Sequence, residues 1–354
     1  MGKEKMEMQL TGKRADELDQ RAMEESRKRW DSIAKPLHSL GKLEDMVIQI
    51  AGITGDPIMH LEKKGLITMC ADNGVVEEGI AQTGQEVTAI VTNNFLTEAA
   101  TASVMCKKVG ADIFPVDIGV AVDTNAINHK IAYGTKNFAK EPAMTREETE
   151  KAIQVGISMA KELKDKGYGI LATGEMGIGN TTTSSAVASV LLDQPVEKMT
   201  GKGSGLTSEG VERKIHTIQN AIQKHQPDPE DVIDVLSKVG GFDIAGITGV
   251  FLGGALCHVP VVIDGFISAV GALCAERICP GTRSYMIASH VSKEPAAPMI
   301  LNSLGKEAPL HCDMCLGEGT GAIALYPILD LACEIYGKMS TFTDIKVEQY
   351  EELV

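Results

Sequence analysis

The chain carries two different periods of apolar and polar positions, and the change between them falls near Gly65. Residues 14–33 are highly charged, with few apolar side chains, chiefly Leu18, Ala22, Met23, Trp30 and Ile33, a helical spacing with a narrow buried stripe. A second helical stretch opens at Leu40-Gly41-Lys42-Leu43-Glu44, runs through Ile50 and closes at Gly52. Beyond Gly65, short apolar runs alternate with amphipathic segments. The pattern predicts strands over 66–71, 112–116, 168–172, 259–263 and 285–288. Between them it predicts helices over 86–109, 145–166, 186–192 and 208–224, and a last one over 320–336. Thr145-Arg146-Glu147-Glu148 has capping-box spacing. In the 208–224 segment, Val211, Ile215, Ile218 and Ile222 share one face. The polar stretch 121–142 reads as a mobile excursion.

Strand–helix alternation of this kind predicts an α/β, doubly wound, mainly parallel sheet. In such sheets ligands gather beyond the carboxyl ends of the strands. The predicted strand ends carry Asp72, Asp117, Glu175, Asp264 and Ser289-His290, so that edge is the expected site.

Composition narrows the class. A chain of 354 residues with 44% apolar side chains can bury a large core. Its formal charge of −14, with no basic run to offset it, argues against a nucleic-acid partner. The richest apolar stretch, 247–263, is broken by glycines, His258 and Pro260, so no membrane span is expected, and the reading is cytoplasmic. Cys70, Cys106, Cys257, Cys274 and Cys333 sit in apolar segments, as reduced thiols used as small hydrophobes do. Cys312 and Cys315 form the only close pair. Without further ligands at zinc spacing they read as structural or incidental, and no metal site is expected.

The most informative run is Gly174-Glu175-Met176-Gly177-Ile178-Gly179-Asn180-Thr181-Thr182-Thr183-Ser184-Ser185. Glycines permit a tight turn and close approach to a ligand. Hydroxyls and free amides at a helix start suit an anion, most often phosphate. A carboxylate set in such a loop, Glu175, implies chemistry beside that anion; a solvated Glu in a plain Gly-rich connection is the bland alternative. Leu316-Gly317-Glu318-Gly319-Thr320-Gly321 repeats the design. Gly201-Lys202-Gly203-Ser204-Gly205 adds a third flexible loop, with Lys214 in the following helix. Two Gly-flanked glutamates with hydroxyls and a lysine point to a phosphate-bearing substrate next to a general base. His216 and His290 read as solvated or structural, and the 16 methionines as core filling.

On Leu40-Gly41-Lys42-Leu43-Glu44, Ala71-Asp72-Asn73-Gly74-Val75, Val87-Thr88, the Gly174 run, Gly240-Gly241-Phe242-Asp243-Ile244-Ala245-Gly246, Asp264-Gly265-Phe266-Ile267-Ser268, Ala288-Ser289-His290 and the Leu316 run, in that order over nearly the whole length, the chain resembles the nicotinate-nucleotide:dimethylbenzimidazole phosphoribosyltransferases of cobalamin assembly. The resemblance implies a Rossmann-like large domain over 61–335 and a small helical domain from both chain ends, 1–60 and 336–354. It implies a dimer, of identical subunits or with a paralogue, and substrates that are nicotinate mononucleotide and an aromatic acceptor base, with no cofactor. By position, Glu318 matches the catalytic base and Glu175 the second active-site carboxylate. Gly177, Gly179, Asn180, Thr181, Gly203, Lys214, Ser292 and Gly317 match the nucleotide side. Thr83, Glu86, Met176 and Leu316 match the acceptor side, with Met176 placed to line the base pocket. Two departures leave the acceptor open among benzimidazoles, purines and phenols: Thr83-Gly84 stands where a Ser-Pro pair is commoner, and Asn73 where His is frequent. Two other readings are a catalytically silent supporting subunit and a nucleotide-binding oxidoreductase. Both glutamates argue against the first. No strand followed by Gly-x-Gly-x-x-Gly with a downstream acid supports the second.

Overall fold

Six parallel strands form one sheet in the computed structural model, which describes residues 13–203 and 205–351. They are β1 (Lys64–Ala71), β2 (Ala111–Gly119), β3 (Ile127–Asn128), β4 (Ile170–Met176), β5 (Val261–Ile263) and β6 (Met286–Ala288), in the spatial order β3-β2-β1-β4-β5-β6. Every residue of β1 is buried, as a strand covered by helices on both faces must be, and so its apolar run is nearly continuous. The order of winding reverses between β1 and β4, which run in register from Lys64 opposite Ile170 to Cys70 opposite Met176. The two crossovers leave the sheet on opposite sides there and open a crevice.

Two layers of helices cover the sheet. One includes α1 (Arg146–Asp165) and α2 (Phe242–Leu256), whose Ile157, Ile247 and Val250 share a core with Met69 and Ile118. Phe242–Leu256 is apolar all round and almost wholly buried, so it shows no amphipathic period, and the 247–263 stretch resolves into the end of this helix and β5. On the other face Phe95, Cys106, Leu325 and Tyr326 pack together. Helices near the two chain ends meet as well: Trp30 of Gln20–Ser32 stacks on Tyr336 of Thr320–Lys338, with ring centroids 5.1 Å apart.

Four expectations are corrected. The helix expected over 86–109 is two helices, Glu86–Leu96 and Thr101–Val109, because Glu98 adopts a left-handed φ of 57° and ends the first. The strand expected over 168–172 runs on to Met176, so Glu175 lies within β4 rather than in a loop. The helix expected from 186 begins at Asn180, so most of the hydroxyl run is helical. The stretch 121–142 is anchored. Ala121 N–H donates to Asp72 Oδ2 at 2.8 Å, and Lys130 pairs with Asp117 at 3.0 Å. Asn137 Nδ2 donates to Glu78 Oε1 at 2.6 Å, and the stretch supplies β3 at the sheet edge.

Candidate active site

The crevice holds a cavity of about 290 Å³ at the carboxyl ends of β4, β5 and β6. The two Gly-rich runs meet there. Glu175 is buried near the end of β4; its Oε2 accepts from Asn180 Nδ2, and its Oε1 accepts from the Glu318 N–H at 3.4 Å. Gly317, Glu318 and Gly319 all adopt left-handed φ, of 89°, 61° and 92°. The glycines do so without penalty; Glu318 bears a steric cost of about 1 kcal/mol. A Cβ at position 317 would collide with the Glu175 carboxylate. The loop is therefore shaped to hold Glu318 beside Glu175.

Asp264 fixes the loop from below. Its carboxylate accepts the N–H groups of Gly319 (3.1 Å), Gly321 (2.7 Å) and Ala322 (3.1 Å), capping the helix Thr320–Lys338. The break in the 86–109 segment has a purpose at the same place. It creates a second helix start, and the Ala102 N–H there donates to Glu318 Oε2 at 3.0 Å.

The electrostatics are unusual. Burial, followed by the charges of Asp243 and Asp264, pushes the Glu175 carboxyl up to about 8. Burial pushes Asp243 up to about 6 and also raises Asp264, which His290 and three backbone amides oppose. Burial raises Glu318 too, against the helix-start amides of Ala102 and Thr101. A pocket with this many buried carboxyl groups favours a cationic ligand. Raised as they are, Glu175 and Glu318 are suited to proton exchange with a bound substrate.

The opposite end of the cavity suits an anion. Lys214 is buried, donates to Thr181 Oγ1 at 2.8 Å, and is pushed down to about 8 by burial. Lys202, Gly203 and Ser292 line that end, and Glu294 Oε1 accepts the Gly203 N–H at 3.1 Å. Of the hydroxyl run, only Thr181 faces the cavity. Thr183 and Ser185 bond back to carbonyls of their own helix, and Thr182 and Ser184 are buried without partners.

Glu175, Glu318, Met176, Gly177, Gly179, Asn180, Thr181, Gly203, Ser292, Leu316 and Gly317 all line the cavity, and Lys214 sits directly behind Thr181. Thr83 and Glu86 do not; both are exposed. The apolar wall comes from Ile80, Ala81, Val87 and Val91, because the helix Glu86–Leu96 turns Val87 and Val91, one helical turn apart, inward. That spacing was the readable signal. His290 lines the cavity against Asp264, whereas His216 is exposed. Lys202 belongs to the flexible loop the sequence singled out; sequence reasoning gave no role to Glu294 or to the Asp243 carboxylate. No helix among the described residues is long and apolar enough to cross a membrane.

The fold is a doubly wound α/β sheet with its site at the switch point, and the family model described as Phosphoribosyltransferase, which matches residues 15–347, gives the class of the protein. The nicotinate-nucleotide–dimethylbenzimidazole phosphoribosyltransferase of Acetivibrio thermocellus is 49% identical over 97% of this chain and 99% of its own. That of Clostridium acetobutylicum is 50% identical over 95% and 96%. A crystal structure of CobT from Thermus thermophilus superposes with a TM-score of 0.88 at 35% identity, over 93% of this chain and all of that one. The chain belongs to the nicotinate-nucleotide–dimethylbenzimidazole phosphoribosyltransferase family.

Proposed function

We propose that this phosphoribosyltransferase moves the phosphoribosyl group of nicotinate mononucleotide onto an aromatic lower-ligand base, dimethylbenzimidazole or a related base or phenol. The products are an α-ribotide for cobamide synthesis and free nicotinate. The observation that carries this reading is the pairing of two buried carboxyl groups, Glu175 and Glu318, on one cavity wall, with a lysine-backed anion end opposite.

The chemistry follows from the charges. The leaving group is a pyridinium that becomes neutral as it takes the electron pair of the glycosidic bond, so it needs no proton. The acceptor nitrogen or phenol oxygen forms the new bond to C1′ and must lose its proton, which passes to Glu318. Glu175 stands where the ribose gathers positive charge. Protonated in the unliganded pocket, it ionises as the pyridinium-bearing ribose of the nucleotide settles beside it. Lys214, Thr181, Gly203 and Ser292 hold the phosphate; Gly177, Gly179, Asn180 and Gly317 shape the ribose pocket around it. Val87, Val91, Met176 and Leu316 offer the acceptor an apolar slot, and holding both substrates in one cavity supplies much of the acceleration.

The small unit built from both chain ends and the dimer belong to the same proposal. Exposed Ile90, Val104 and Val122, each more than half accessible, support a subunit contact, which sedimentation of the purified protein tests. The function itself is tested by incubating the protein with nicotinate mononucleotide and a panel of benzimidazoles, purines and phenols. Nicotinate release that depends on the added base supports the proposal; none with any base refutes it.

A further inference from the structure

A fully buried carboxylate that the transfer chemistry leaves unused stands behind Glu175. Asp243 is 0% exposed, at the start of Phe242–Leu256, where its Oδ1 accepts the Ile244 N–H at 2.9 Å. Two carboxamides tie it to the site. Asn73, at the end of β1, donates from Nδ2 to Asp243 Oδ2 at 3.4 Å. Asn180, which donates to Glu175 Oε2, is also near enough to Asp243 to favour its ionised form. Gly177 passes between them, and a Cβ there would stand 2.7 Å from Asp243 Oδ2. The network thus joins the ends of β1 and β4 to two helix starts at the switch point.

We propose that Asp243 is a positioning residue for the transfer reaction. Through Asn180 it fixes the Glu175 side chain, and its own charge, behind the carboxamide, sets when Glu175 gives up its proton. The inference rests on the proposed function for its kinetic consequence, but not for the geometry. The other charged groups facing Glu175 are Asp264 beyond β5 and Glu318 on the neighbouring loop, with His290 against Asp264 and Lys214 on Thr181. These stay in place when Asp243 is changed.

The test is Asp243→Asn, which keeps the shape and removes the charge. The infrared band of the protonated Glu175 carboxyl, assigned by its loss in Glu175→Gln, is titrated in the unliganded protein. Its midpoint should move down by about one pH unit in Asp243→Asn, because a repelling negative charge has gone. Turnover should fall about tenfold or more with the nucleotide KM changed less than about threefold, and Asp243→Asn should cost nothing further in a Glu175→Gln background. An unmoved infrared midpoint, or full additivity of the two substitutions, overturns the proposal. The infrared titration needs no turnover, so it is decided even where the proposed reaction fails. If Asp243→Asn does not fold, Asn73→Ala removes the amide that favours ionised Asp243. The same midpoint should then move down, and an unmoved one again overturns the proposal.

Discussion

Glu175→Gln should make the unliganded protein more stable, and only above mildly acidic pH. Burial and two neighbouring carboxylates hold the Glu175 carboxyl near 8, against 4.5 for an ordinary glutamate. Below about pH 4.5 the group is neutral folded and unfolded, and nothing is lost. As pH rises, the unfolded chain ionises freely while the folded protein keeps the proton, so stability drains away until pH passes about 8. At about 1.4 kcal/mol per tenfold in proton affinity, the loss is about 3 kcal/mol at pH 7 and approaches about 5 kcal/mol above pH 8. Glutamine cannot ionise. It keeps one acceptor for the Glu318 N–H, and loses about 1 kcal/mol where Glu175 also accepted from Asn180. The net gain is about 2 kcal/mol at pH 7 and near nothing at pH 5. With an unfolding entropy of about 2.1 cal/mol/K per residue, a chain of 354 residues converts that to a rise in Tm of about 3 °C. Calorimetry without ligand at pH 5, 7 and 8.5 reads it directly. A Tm difference that is the same at all three values, or a destabilisation that grows with pH, would refute the reasoning.

Three further outcomes are expected. Glu318→Gln should fold normally and lower turnover by roughly 10²–10⁴, measured as base-dependent nicotinate release; near-normal turnover removes Glu318 from the role of base. Lys214→Ala should weaken nucleotide binding at least about tenfold by calorimetry, because it removes the buried cation behind Thr181. In the wild type, binding should also weaken as pH rises through about 8, where Lys214 loses its charge. Val91→Phe should shift acceptor preference toward single-ring phenols by filling the apolar wall. Gly84→Pro, off that wall, should leave preference unaltered; the reverse pattern would return the wall to Thr83-Gly84.

Five of the six strands were legible because buried parallel strands read as short apolar runs, and their ends were legible because polar residues follow them abruptly; the two-residue, exposed β3 carries no such run. Hence Asp72, Glu175 and Asp264 could be placed along one edge, and the Glu318 loop beside them. What could not be read was set by tertiary contacts. Thr173 and Gly174 look like loop residues, yet both extend β4, where the Thr173 hydroxyl finds the Val262 carbonyl at 3.1 Å. Phe242–Leu256 has no polar face to give it a period. The break at Glu98 leaves the helical pattern of 86–109 intact on both sides, and its reason, the Ala102 amide offered to Glu318, lies more than 200 residues along the chain. Asp243 stood within a family-matching run that carried no role for it. Only the fold puts it behind Glu175.

The most direct test of the whole account is the configuration of the product. Nicotinate mononucleotide carries its base on the β face, and one displacement by an acceptor seated in the Val87–Met176–Leu316 slot must invert C1′. Proton NMR of the ribotide formed from nicotinate mononucleotide and dimethylbenzimidazole should show the α anomer alone, with one nicotinate released per ribotide. A β product, or nicotinate released with free ribose phosphate and no ribotide, would contradict it.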